Sequence, residues 1–153
     1  MDYRLNNESI VACVISQIIY RSLSSQNDIA RIALLTSLLF NDHSIGLLHN
    51  SENLKAKTDQ IESYISFTSS FVYKEMLPIV INSVVLLLQG GILQKSNDEN
   101  LIITEKGLVF CTGMYEISLG SRCSEILYQI DKVLDVCSKY STVELYDKFK
   151  III

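Results

Sequence analysis

The chain has 153 residues, of which 48% are hydrophobic and 20% charged, with a single proline. That length fits one domain around one core, and that balance excludes a disordered or low-complexity chain. The net charge is −4 and the pI near 5.1, so counterion release on a phosphate backbone brings little affinity unless the cations cluster. A mean hydropathy of +0.26 is high for a soluble chain of this size and points to a covered partner surface.

The stretch "NNESIVACVISQIIYRSLSS" predicts a first helix, capped by Asn6 or Asn7. On it Ile10, Val11, Val14, Ile15, Ile18 and Ile19 cover half the circumference, with Ser16, Gln17 and Arg21 opposite. "DIARIALLTSLLF" predicts a second helix capped by Asn27 or Asp28. It is apolar nearly all round, which places it in the core or between the core and a partner. "NDHSIGLLHNSEN" reads as a loop. Asp59 and Glu62 then resemble a capping box that opens a third helix. Its apolar side carries Ile61, Tyr64, Ile65, Phe67, Phe71, Val72 and Met76; Glu62, Ser63, Ser66, Ser69, Ser70 and Lys74 share the other.

Pro78 predicts a stop and the start of a fourth helix, "PIVINSVVLLLQ", which Gly90-Gly91 ends in a left-handed cap. The run Ile79 to Leu88, broken by Asn82 and Ser83, falls short of the roughly 20 apolar residues of a membrane span. The start "MDYRLNNES" has no signal-peptide pattern. "GILQK" and "NLIIT" predict two strands joined by "SNDEN", and Thr104 caps the helix that begins "EKGLVF". After Gly120, Ile126, Leu127, Ile130, Val133, Leu134 and Cys137 form a narrow apolar stripe. Ser141 and Glu144 form a capping box for a last short helix. The three isoleucines after it are expected to dock on the chain's own core or on a neighbour.

This order predicts a mainly α fold, a helical domain built around a winged helix-turn-helix with a small two-stranded β wing. One domain spans 1–153: a helical pair over 1–50, the winged-helix part over 51–107 and C-terminal helices over 108–153. A helix that reads DNA needs Arg, Lys, Asn or Gln aimed at base edges and cations near phosphates. From Pro78 to Gln89 only Asn82 and Gln89 qualify, and the wing tip carries Asp98 and Glu99. Lys95 and Lys106 flank the wing and are the weak candidates for DNA contact. An apolar helix in that position suits burial against protein. The expected partner surfaces are the tail (Tyr146, Phe149, Ile151, Ile152 and Ile153) and the surplus apolar surface of the second and fourth helices.

No catalytic, cofactor or metal site is expected. Asp42, His43 and His49 form the one candidate cluster, and their spacing suits neither one helical face nor a usual zinc pattern. Cys13, Cys111, Cys123 and Cys137 make no C-x-x-C pair and read as small core residues in a reducing cytoplasm.

The pattern resembles the middle components of bacterial three-component ABC systems, which include the Lamassu-type defence operons. The resemblance rests on "NNESIVACVISQIIYRSL", "ARIALLTSLLF", "INSVVLLLQGGIL", the wing, "SLGSRCSEILYQIDKVL" and "STVELYDKF". The tryptophans common in such proteins are absent. The resemblance implies a noncatalytic cytoplasmic adaptor that bridges an SMC-like ABC ATPase and an effector, often a nuclease, in defence against phage and plasmids. DNA would be met only weakly or through the partners. A winged-helix transcription regulator, dimeric through its terminal helices, is the alternative; its basic face would be built from Arg21, Arg31, Lys55, Lys57 and Lys74. A hydrolytic enzyme using the Asp42 loop is the third reading.

Overall fold

A computed structural model describes residues 3–22, 26–41, 59–114 and 121–152. Six helices and one two-stranded sheet lie among them: α1 (Tyr3–Arg21), α2 (Ile29–Leu39), α3 (Asp59–Gln89), β1 (Leu93–Lys95), β2 (Leu101–Ile103), α4 (Glu105–Gly113), α5 (Ser121–Cys137) and α6 (Thr142–Lys148). Helices α1 and α2 are central. Helices α3 and α5 each pack along both, α6 packs on α2, and α4 and β2 pack on α1.

Helix α1 begins ahead of the expected caps, so Asn6 and Asn7 lie within its first turns. Asparagine is a weak helix former and not a breaker, so the helix runs through it. The apolar half of α1 is buried as its periodicity predicts, with Val11, Val14, Ile15 and Ile18 fully covered. Its polar side is buried too, against expectation. Ser16 and Gln17 are sealed because α4 lies over them. Gln17 Nε2 donates to the Cys111 carbonyl at 2.9 Å, and its Oε1 accepts from Arg21 Nε at 3.0 Å. These bonds meet the requirement that a buried amide be paired.

Asp28 caps α2, its side chain accepting from the Arg31 N–H. Every residue from Arg31 to Leu39 is buried. The near-circular apolarity of this helix is matched by neighbours on several sides, so its surplus belongs to the chain's own core and not to a partner.

The largest departure is at Pro78. The expected third and fourth helices are one 31-residue helix with Pro78 inside it. The proline cannot donate to the Lys74 carbonyl, a loss of about 3 kcal/mol in a helix interior. Pro78 and Lys74 are both exposed, so that loss falls on the wet side. The opposite row, Tyr73, Val80, Val84 and Leu87, is buried on both sides of the proline. Burial of such side chains contributes about 1.5–3 kcal/mol each, enough to carry the helix through. The third-helix faces are also revised: Ser69 is buried and Phe71 exposed. Helix α3 packs lengthwise on two helices, and that geometry, more than apolar spacing, chooses its inner row. As one helix, Ser69–Gln89 reaches the length and apolar content of a membrane span, at a mean hydropathy of 1.7, which revises the expectation drawn from Ile79 to Leu88 alone.

Helix α3 ends as expected at Gly90-Gly91. The Ile92 N–H bonds the Leu87 carbonyl at 2.9 Å and the Gly91 N–H bonds the Leu88 carbonyl at 3.1 Å, with Gly91 at φ +72°. Only a residue without Cβ takes that conformation cheaply. Strands β1 and β2 pair antiparallel with Leu93 opposite Ile103 and Lys95 opposite Leu101, turning Leu93 and Leu101 inward. The hairpin is tied to the α1–α2 link: the Leu101 N–H donates to the Asn27 carbonyl at 2.9 Å, and the Asn27 N–H donates to Asn100 Oδ1 at 3.0 Å.

Thr104 caps α4 through the Gly107 N–H. Gly107 is where the hairpin and α4 meet most closely, since a Cβ there would overlap the Ile92 carbonyl oxygen. The stripe of α5 is inward as predicted, with Ile126, Ile130, Val133 and Cys137 buried. The Ser141–Glu144 capping box opens α6.

Candidate interaction surface

From Phe71 to Gln89, α3 has an outward row opposite the inner row that seals the core. Phe71, Lys74, Pro78, Ile81 and Val85 follow one another at alternating steps of three and four residues, and all are exposed. Phe71 is 58% exposed, and Ile81, Val85 and Leu86 are each above 40%. Glu75, Asn82 and Gln89 border this row. Asn82 bonds Glu8 Oε1 at 2.9 Å, and Ser83 Oγ donates to the Glu8 carbonyl at 3.0 Å, which fixes the rotation of α3 against α1. A second exposed apolar surface lies on α4, where Leu108 and Val109 face solvent, the latter at 73%. Ile102 of β2 is also exposed.

The tail is only partly a surface. Phe149 and Ile151 are buried in the chain's own core, which removes both from the expected partner contacts. Both join the same buried cluster as the α2 leucines and the inner row of α3. Tyr146 is half-buried: its hydroxyl donates to the Ala30 carbonyl at 2.9 Å and meets the Tyr73 hydroxyl at 2.8 Å. Burial, and then the bond with Tyr73, hold its phenol above the usual range. Ile152 is exposed and lies beside Ser70, while Ile153 falls outside the described residues.

The expected cations do not gather into a basic face among the described residues. Arg31 is only 4% exposed. Its guanidinium donates to the carbonyls of Cys137 at 2.8 Å and Tyr140 at 3.1 Å, satisfying the open end of α5. Arg21 donates to Gln17, to the Leu127 carbonyl and to Asp131 at 3.3 Å. Lys95 pairs with Glu99 at 3.2 Å across the hairpin. Lys106 Nζ donates to the Gly90 carbonyl at 2.7 Å, closing the end of α3. Lys74 is exposed, and Lys55 and Lys57 fall outside the described residues.

Between α1, α2 and α5 lies a cleft of about 240 Å³, lined by Arg21, Ser22, Arg31, Asp131, Leu134, Asp135 and Ser138. Its arginines are engaged with helix carbonyls and with Asp131, while Asp131, Asp135 and Ser138 open it to solvent. Asp42, His43 and His49 lie outside the described residues, and Cys123 lies in the first turn of α5. Among the described residues no three His, Cys, Asp or Glu side chains approach as metal ligands would. Cys111 and Cys137 are buried free thiols. Burial raises both, Cys137 to about 11 despite the opposing charges of Arg31 and Lys148. Such thiols are poor nucleophiles and poor ligands at neutral pH.

The sequence pattern sets Phe71 with the inward residues and reads Pro78 as a break, which hides the outward row of α3. The three-four alternation from Phe71 to Val85 was the available signal. Comparison with protein-family models, with curated proteins and with solved structures finds no match to this chain.

Proposed function

We propose that the chain is a noncatalytic adaptor subunit of a cytoplasmic defence complex, bridging an SMC-like ABC ATPase and an effector protein. The observation that carries this reading is the pair of exposed apolar surfaces on different elements, the α3 row and Leu108–Val109 on α4. A bridge needs two faces, and apolar side chains this exposed are a cost to a chain that stays alone. We read α1, α2, α3 and the hairpin as a winged helix whose link at Asn27 pairs with β2 as a third short strand would. The helix that would enter a DNA groove presents Ile81, Val85 and Leu86 outward, with Asn82 bonded to Glu8.

The alternative, a winged-helix DNA-binding regulator, is disfavoured by the same geometry. Arg31 and Arg21 serve helix ends, and Lys95 is paired with an acid, so few phosphates would be neutralised. The test is a tagged pull-down from the native cell, with nuclease added and moderate salt. Two stoichiometric proteins, a coiled-coil ATPase and an effector, are expected, and Val109→Asp should lose one of them. Recovery of the chain alone, or of DNA only when nuclease is left out, would replace the adaptor with the regulator.

A further inference from the structure

We propose that the cleft between α1, α2 and α5 binds a small zwitterion, an α-amino acid with an aliphatic side chain, whose carboxylate meets Arg31 and whose ammonium meets Asp135. The cleft has a cationic floor and an acidic rim. Arg31 is 4% exposed and belongs to the floor, while Asp131, Asp135 and Ser138 are exposed at the mouth. Helix α5 lines the cleft with Asp131, Leu134, Asp135 and Ser138, a spacing that keeps all of them on one helical face.

The first observation that points to a ligand is the charge of the floor. Among the described residues no carboxylate lies within ion-pair distance of Arg31. Its guanidinium is met by the Cys137 and Tyr140 carbonyls, at a helix end worth about half a negative charge. A buried cation offset only in part leaves a positive potential in the cleft. Those bonds use two of the five N–H donors of a guanidinium. Among the described residues the remaining N–H groups meet no acceptor, although buried donors are normally met. A ligand carboxylate is the acceptor that a planar guanidinium edge takes best.

The second observation is Asp135. Asp131 is held by Arg21 at 3.3 Å, but the Asp135 carboxylate pairs with no cation among the described residues. One cation and one anion of the cleft are thus left over, at different depths. A zwitterion with its carboxylate inward compensates both. An inorganic dianion fits less well, because it meets the field of Asp131 and Asp135 before it reaches the floor. Leu134, half-buried on the same face, offers an apolar wall to a side chain. The volume of about 240 Å³ lies below the roughly 300–1,000 Å³ that holds a drug-sized ligand, so the occupant is small. The inference does not depend on the adaptor role, whose surfaces are on α3 and α4.

The experiment is an amide NMR titration of the full chain with L-leucine, sodium acetate, isoamylamine and sodium phosphate. Each is added from about 0.01 to 10 mM, a range that suits a small ligand held by few contacts. L-Leucine is expected to shift the amides of Arg31, Asp131, Leu134, Asp135 and Ser138 saturably, with a Kd below about 1 mM. Acetate and isoamylamine each carry one end of the zwitterion and should bind about tenfold or more weakly. Asp135→Asn, at an exposed position, should weaken L-leucine by about fivefold or more and leave acetate binding equal or stronger. Those opposite responses separate loss of the rim from loss of the fold, which would weaken both. No saturable shift with L-leucine would overturn the proposal. So would acetate or phosphate binding as tightly as L-leucine, which would make the cleft a plain anion site. An Asp135→Asn chain that binds L-leucine as wild type does would overturn it as well.

Discussion

Helix α2 and the second half of α3 are both strongly apolar, yet one is sealed and the other half in solvent. From Arg31 to Leu39 no side chain of α2 reaches water. From Phe71 to Gln89, α3 carries an inner row of Tyr73, Val80, Val84 and Leu87 and an outer row of Phe71, Ile81, Val85 and Leu86. The difference lies in the neighbours. Helix α2 meets α1, α3, α5 and α6, while α3 meets the core along one side. Hydropathy states that a surface is to be covered. It does not state whether the cover comes from the same chain.

The sharpest way to break that comparison is a pair of truncations. Leu35→Ala in α2 should lower the unfolding free energy by about 2–5 kcal/mol, the cost of a cavity at a site that cannot collapse. Val85→Ala on α3 should stay within about 0.5 kcal/mol for the monomer. Urea unfolding of both at low protein concentration decides it, and equal losses would mean that the outer row is not outer.

Arg31 tests how the sealed region tolerates a charge. Arg31→Met should cost about 2–3 kcal/mol, because the Cys137 and Tyr140 carbonyls lose their donors. Arg31→Lys should recover little, since an ammonium cannot span both carbonyls as the planar fork does. Thermal melts of the two variants would show whether the loss follows the charge or the geometry.

Cys137, where α5 seals against that arginine, gives a pH test. Its folded pKa is raised to about 11 by burial, so the fold holds the neutral thiol after the unfolded chain has begun to ionise near 9. The unfolded state then binds fewer protons, and stability falls as pH rises. The contribution is complete below about 9 and lost by about 11. Urea midpoints between those values should decline, and Cys137→Ala should flatten the decline. The smallest effect belongs to the hairpin: Lys95→Ala removes an exposed pair with Glu99 and should change stability by less than about 0.5 kcal/mol.

The elements bounded by short-range chemistry were legible in the sequence. Asp28, Thr104, the Gly90-Gly91 end and the Ser141–Glu144 box each act through hydrogen bonds within a few residues, and each is in place. The narrow stripe of α5 was legible because only one face of that helix is apolar. What failed depended on distant neighbours. Gln17 looked like surface until α4 covered it, 94 residues away in sequence. Pro78 looked like a break until the rows beside it proved to share one inner face. Ser69 and Phe71 exchanged sides for the same reason. The tail's Phe149 and Ile151 could have met a neighbour or the chain itself, and spacing does not distinguish the two. The outer row of α3 becomes continuous only once the two expected helices are joined.

The way Arg31 reaches Cys137 and Tyr140, more than a hundred residues along the chain, has a consequence for synthesis. While the chain grows from its N-terminus, α1 and α2 emerge long before α5, Leu145, Phe149 and Ile151 exist to cover them. Their fully buried residues, Leu34, Leu35, Leu38 and Leu39 among them, are covered in part by α3 but stay incompletely sealed until those later segments follow. Closing contacts of such separation is slow, and the uncovered intermediate is prone to aggregate. Until α5 and the segment after it are in place, the open core is expected to aggregate, and a holding chaperone present during synthesis should raise the yield of folded protein.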